Sequence, residues 1–322
     1  MKKILVVGGG GYIGSEFCSF LLGKGKTVHC LDKFIYKNSY SINSIKKKHS
    51  FKVIYEDIQL FKNFESYDGV VIFAGLVGDP ITKKYKNLSN KINVNGIKKI
   101  INFFKNKKIK LIFISTCSNY GFLKGRIANE KTKLSPKSIY ARQKVIIEKY
   151  IMSLKKKSTF EPIILRFATA FGKSMRPRFD LTINEFVLNA ILNKKLEIYD
   201  HETWRPYCHI KDFCSVIFKI LNLKKKIPFQ IFNVGSNKNN LRKIDIAIKI
   251  KKLIPNFKYK IIYTSKDPRN YIVNFNKISK FINTKKFVSV NNGIKELIKY
   301  LSKSNNVKLL KLLKFGNFSI KI

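Results

Sequence analysis

The chain has 322 residues, 45% of them hydrophobic and 13% aromatic, and its 65 Lys and Arg against 19 Asp and Glu give a formal charge of +46. That length buries a sizeable core, in one large α/β domain or in two domains sharing a cleft, and no apolar run approaches the roughly eighteen residues of a membrane helix. Five cysteines without a Cys-x-x-Cys pair exclude a disulfide framework and a zinc site and point to a reducing cytoplasm, while His29, His49, His201 and His209 have no metal-ligand spacing, so no metal is expected.

In chain order, the apolar residues after the basic start run straight into glycines with no small-residue cleavage site, so they read as a first strand instead of a signal peptide. Strand-length runs recur at 4–7, 27–31, 51–54, 70–73, 111–114 and 162–165, with helix-like stretches between most of them. Strands alternating with helices imply a doubly wound parallel sheet of Rossmann type. Beyond Arg166 the rhythm loosens into shorter elements, as in a smaller domain covering the sheet's carboxyl edge. The expected division is 1–166 and 167–322, with short returns to the first unit near 207–221 and 230–235. The basic, amphipathic segment 308–314 reads as a docking helix rather than a membrane anchor.

The positive residues spread along the whole chain, and Lys outnumbers Arg, which favours coding bias over a dedicated nucleic-acid or membrane surface. The few arginines, Arg166, Arg176, Arg178, Arg205 and Arg269 among them, lie mostly where a fork that holds phosphate would be useful.

Gly8, Gly11 and Gly14 follow the first strand and open a helix with Tyr12 and Ile13 between them, so a dinucleotide pyrophosphate can approach bare backbone at a helix N-terminus. Asp32 ends the second strand about twenty residues on, where a carboxylate accepts from the adenosine ribose and repels a 2′-phosphate; that favours NAD over NADP, although Lys33 beside it blunts the discrimination. Tyr140 and Lys144 are four apart and share one helix face. A free phenol has a pKa of about 10, and a neighbouring ammonium, aided by an oxidised nicotinamide, brings it toward a useful working range.

With these stand Glu56-Asp57-Ile58, Val71-Ile72-Phe73-Ala74-Gly75, Asn93-Val94-Asn95-Gly96, Ser115-Thr116-Cys117-Ser118-Asn119-Tyr120-Gly121, Arg166-Phe167-Ala168-Thr169, Arg205-Pro206-Tyr207 and Phe232-Asn233-Val234-Gly235. In that order, over nearly the whole length, the chain resembles an extended short-chain dehydrogenase/reductase of the NAD-dependent epimerase/dehydratase family, which acts on nucleotide sugars. The resemblance implies Asp57 at the adenine, Ala74, Gly75 and Leu76 along the cofactor, and Ile58, Asn93 and Phe167 among the cofactor residues. It also implies Thr116 as the catalytic hydroxyl, Tyr140 as base, Lys144 on the nicotinamide ribose, and a homodimer. Thr169 stands where many 4-epimerases have Asn, and Phe73 where a His is frequent. Dehydratases of the family carry Asp-Glu after the catalytic hydroxyl. Cys117 and Ser118 offer no acid there, which fits a 4-epimerase best, with a dehydratase or 4-keto-sugar reductase as the alternative.

Thr169, Arg178, Asn184, Arg205 and Arg269 are the substrate-side candidates, with Asp79 a further contact to sugar or phosphate; Asn184 and Asp79 equally suit stabilising a loop, and Arg178 equally suits a surface salt bridge. Cys117 reads as an inert small residue. A rival from another class is a Rossmann-scaffold protein that has lost catalysis and binds RNA through its charge; the complete Thr-Tyr-Lys set argues against it.

Overall fold

The computed structural model describes residues 1–62, 65–192, 195–263, 269–303, 306–312, 314–318 and 320. The first five apolar runs become β1 (Lys3–Val7), β2 (Thr27–Leu31), β3 (Phe51–Ile54), β4 (Gly69–Ile72) and β5 (Lys110–Thr116). After β6 (Phe122–Ala128) the sixth run becomes β7 (Glu161–Phe167). Runs 27–31 and 51–54 fall on the observed strands, 70–73 slides one residue toward the N-terminus, and the last two lengthen at both ends.

β8 (Thr169–Phe171), β9 (Leu196–Tyr199) and β10 (Trp204–His209) follow outside the central sheet, and β11 (Gln230–Val234) returns to it as its edge strand. The sheet has seven parallel strands in the order β11-β7-β5-β4-β1-β2-β3. Both faces are covered, which is why the strands read as continuous apolar runs instead of alternating ones. In β1, Ile4 and Val6 point into one layer, where Phe17, Cys18 and Leu21 of α1 (Tyr12–Gly23) pack. Leu5 and Val7 point into the other.

The helices that follow in the chain are α2 (Asp79–Lys84), α3 (Lys86–Asn90), α4 (Ile97–Phe104) and α5 (Ile139–Ser153). Ile97, Ile100, Ile101 and Phe104 of α4, spaced three and four apart, share the second layer with Ile147 and Ile151 of α5. After α6 (Thr182–Ile191), α7 (Ile210–Leu221) runs beside α1, and its Phe213, Ile217 and Ile220 complete the first layer.

A third core joins α6 to α8 (Lys243–Leu253) and, beyond α9 (Asn276–Ser279), to α10 (Val290–Leu301), through Phe186, Val187, Ile250 and Leu297. Around it lie small sheets: β8 with β10 and β12 (Asn240–Arg242), and β9 with β13 (Tyr259–Ile262). β6 pairs with β14 (Asn270–Val273). In α11 (Asn306–Leu312), Leu312 packs against the third core; Leu313 of the expected docking segment lies outside the described residues. Among the described residues no helix is long and apolar enough to cross a membrane.

β1 lies between β2 and β4, so the strand order reverses there. Side chains and loops beyond the carboxyl ends of such strands diverge and leave a crevice.

Candidate active site

A cleft of about 980 Å³ occupies that crevice. Gly8, Gly11, Tyr12, Ile13 and Gly14 line it, as do Asp32, Asp57, Ile58, Ala74, Gly75 and Phe167. Thr116, Tyr140 and Lys144 line it too, with Thr169, Arg178, Arg205 and Arg269. Three expected contacts do not reach the wall: Leu76, Asn93 and Asn184.

The glycine end is built on close backbone approach. Gly8 has φ +85°, and a Cβ there would stand 2.6 Å from the backbone nitrogen of Ala74. A Cβ on Gly14 would stand 2.2 Å from the carbonyl oxygen of Gly8. Only bare backbone therefore lets α1 start this close to β1. The first turn of α1 carries no acidic residue, and its N–H groups have no partner within the helix, so this end suits a dinucleotide pyrophosphate. Asp32 accepts from the Gly10 N–H at 2.8 Å and the Phe34 N–H at 2.7 Å. Burial raises its carboxyl, resisted by those N–H groups and by the Arg176 charge. The Lys33 ammonium is paired with Asp57 at 3.0 Å. Against burial, the Gln59 backbone N–H and Lys33 keep the Asp57 carboxyl below its ordinary range.

The Asn93 and Asn184 side chains make their hydrogen bonds within the protein, and for Asn184 that is the loop-stabilising role the sequence left open. The Asn93 Oδ1 accepts from the Leu76 N–H at 2.7 Å, and its Nδ2 donates to the Leu76 carbonyl and to Gln143 Oε1 at 2.8 Å. It thus ties the turn after β4 to α5, and Leu76 itself is sealed in the core. The Asn184 Oδ1 accepts from the Gly172 N–H, and its Nδ2 donates to the Tyr12 hydroxyl and the Arg178 carbonyl. Its amide holds the loop after β8 against α1.

Thr116 closes β5, and its Oγ1 accepts from the Ser118 N–H at 3.1 Å. Ser138 caps α5 by accepting from the Ala141 N–H, which sets Tyr140 in the first turn and Lys144 one turn on. The Lys144 Nζ lies 5.8 Å from the Tyr140 ring centre and donates to the Ile114 carbonyl at 2.8 Å. Among the protein's own groups, this amine is not the charge that acts most on the phenol. Burial pushes the Tyr140 phenol up, and the opposing charge is Arg178. Burial also lowers Lys144 to about 7, against the pull of Glu148. Both groups lie where water is scarce, so the charged form of each is disfavoured.

Beneath these residues is a network the sequence reading did not identify. The Arg166 guanidinium, assigned above to phosphate, is buried and donates to Glu148 through Nε at 3.0 Å and Nη2 at 2.5 Å. Ser115 Oγ and Asn119 Nδ2 donate to the same carboxylate, while Arg166 Nη1 reaches the Tyr120 hydroxyl, which donates to Asn233 Oδ1. Four elements around Thr116 and Lys144 are thereby locked in register. The signal was Glu148, one helical turn beyond Lys144. Cys117 is buried, its Sγ within 3.2 Å of the Arg166 carbonyl, and burial raises its thiol. Ser118 faces the cleft and shares a 3.2 Å hydrogen bond with the Tyr271 hydroxyl.

At the outer end, Arg178 is gripped by Asp180 through bonds of 3.0 and 2.6 Å. Arg269 pairs with Asp79 at 3.0 Å, and the Arg205 guanidinium lies 5.0 Å from the Tyr271 ring centre. Three guanidinium groups thus border the cleft beyond Tyr140.

The family model described as the NAD dependent epimerase/dehydratase family matches residues 4–235. The Bacillus subtilis (strain 168) protein named as an uncharacterized UDP-glucose epimerase is 26% identical over 315 residues, covering 93% of this chain and 98% of that protein. A dTDP-D-glucose 4,6-dehydratase of Dictyostelium discoideum is 29% identical over 276 residues, covering 78% of this chain and 62% of that protein. Among solved structures, the UDP-glucuronic acid 4-epimerase from Bacillus cereus in complex with UDP-glucuronic acid and NAD superposes with a TM-score of 0.84 at 25% identity, covering 94% of this chain and 99% of that one.

Proposed function

The chain belongs to the NAD-dependent epimerase/dehydratase family, and from that premise we propose that it is a nucleotide-sugar 4-epimerase. The cofactor is NAD, and the chemistry is that of a nucleotide-sugar modifying enzyme. In this reading residues 1–166, with the returns near 207–235, hold the cofactor, and 167–322 hold the sugar nucleotide.

Bound NAD supplies a reversible acceptor for the hydrogen on the sugar's C4. The protein's own groups handle the proton. The Tyr140 oxygen takes it from the C4 hydroxyl and returns it after the sugar has presented its other face. Thr116 already accepts from the Ser118 N–H, so its own proton is left to donate to the sugar oxygen. Lys144, lowered to about 7, exchanges its proton near neutral pH and so helps the phenol to lose and regain its own. The outer guanidinium groups suit a substrate diphosphate by forked donation.

The observation that carries epimerisation over elimination lies after Thr116. Cys117 is turned into the core, and Ser118 presents a hydroxyl, so no carboxyl group there can expel water. Incubation with UDP-, GDP-, CDP- and dTDP-sugars, followed by NMR of the products, tests this. Inversion at C4 without net oxidation is expected. Elimination products alone, or turnover only with stoichiometric reduced cofactor, would make the enzyme a dehydratase or a reductase.

A further inference from the structure

Arg176 differs from the buried Arg166 and Arg178, whose charges are met by Glu148 and Asp180. It is 5% exposed, its Nη2 donates to the neutral amide oxygen of Asn317 at 2.7 Å, and its guanidinium lies 4.5 Å from the Tyr36 ring centre. Among the described residues no carboxylate comes within ion-pair distance of it. A buried charge without a counter-charge is costly, so such a group is stable where an anion arrives to meet it. Burial and the neighbouring Arg178 both oppose its charge.

The surroundings say which anion. The Arg176 N–H donates to Ser174 Oγ at 3.2 Å, and that hydroxyl donates to the Tyr12 carbonyl at 2.6 Å. The Met175 N–H donates to Glu16 Oε1 at 2.7 Å. Residues 174–176 are therefore tied to the first turns of α1, beside the glycine loop. Tyr36 belongs to the stretch after Asp32, where Asn38 Nδ2 donates to the Gly10 carbonyl at 2.5 Å. The guanidinium thus stands at the cofactor end, while Arg178 stands toward Tyr140.

We infer that Arg176 is the counter-charge for the diphosphate of the bound dinucleotide, and that Asn317 positions it there. The inference rests on the family reading above. Asn317 also donates through Nδ2 to the Val77 carbonyl at 2.7 Å and through its backbone N–H to Asp180 Oδ2 at 3.3 Å. Because Asp180 grips Arg178, one residue links the cofactor-side guanidinium, the loop after β4 and the substrate-side guanidinium. Cofactor binding is thereby coupled to the placement of Arg178 near Tyr140.

The test uses the full chain stripped of nucleotide and titrated calorimetrically with NAD, ADP, adenosine and UDP. Arg176→Met weakens NAD and ADP by at least about tenfold, the loss of one charge-assisted hydrogen bond. Adenosine and UDP stay within about twofold. Arg176→Lys recovers part of the loss, and Asn317→Ala shows a smaller loss in the same direction. The nucleotide-free Arg176→Met protein melts no lower than wild type, while its NAD-induced rise in melting temperature shrinks; an arginine with a merely structural role would lower the nucleotide-free value. Equal NAD affinity in Arg176→Met and wild type overturns the inference, as does a loss confined to UDP, which would assign the guanidinium to the substrate's diphosphate. A wild-type protein that binds none of the adenine ligands overturns both this inference and the reading beneath it.

Discussion

Arg166 and Arg176 are both nearly sealed from water, yet their charges are treated in opposite ways. Arg166 is closed in by its own chain: Glu148 takes its charge, and Ser115, Asn119, Tyr120 and Asn233 complete the hydrogen bonds. Arg176 rests on an aromatic face and a neutral amide. Arg166, sealed behind its partners, fixes geometry, whereas Arg176 has a charge in the cleft wall that no carboxylate of the protein takes up. On the inference above, the two arginines are a structural floor and a binding wall of one cleft.

The largest expected effect separates chemistry from both. Tyr140→Phe should lower kcat by about 10²–10⁴-fold, the usual worth of a positioned acid/base, with the unfolding midpoint in urea unchanged; wild-type turnover would remove the phenol from the mechanism. Next comes the floor. Glu148→Ala leaves Arg166 charged and unpaired, and equilibrium unfolding should show a loss of about 3–5 kcal/mol. A loss below about 1 kcal/mol would put this pair on the footing of an exposed one and erase the contrast with Arg176.

Lys144 sharpens the comparison through pH. Its ammonium is lowered to about 7 from an ordinary 10.5, so between those values the unfolded chain binds more protons than the folded one. Stability of the nucleotide-free protein therefore rises across that window and is lowest below about 7. Unfolding measured across the window should show Lys144→Met flattening the rise; an unaltered profile would mean that the amine keeps its charge when buried. The smallest effect belongs to the Arg269–Asp79 pair, whose side chains are 29% and 35% exposed. Asp79→Asn should change stability by no more than about 1 kcal/mol in the same unfolding assay, and a larger loss would make that pair part of the floor.

Much of the frame was legible because it repeats locally. Strands buried on both faces leave continuous apolar runs, and the close approach at Gly8 and Gly14 tolerates no side chain, so both leave marks in the sequence. Thr116, Tyr140 and Lys144 were legible for a similar reason: a strand end and one turn of a capped helix bring them to the same cleft. Asn184 stayed open between ligand contact and loop support because an amide looks the same in sequence whether it meets a ligand or a backbone. What decides between the two is a partner such as Leu76 or Gly172.

The sequence by itself determined the parallel sheet, the glycine turn at its switch point and the hydroxyl, phenol and amine that line one cleft, because each depends on spacing within one element or one turn. Tertiary structure alone decided how charge is allotted. Arg166 meets Glu148 across two elements, and Asn317 reaches Val77 from 240 residues away. Burial and electrostatic pairing are properties of neighbours in space, so whether a guanidinium is spent inside the protein or held for a ligand emerges only once the chain has folded.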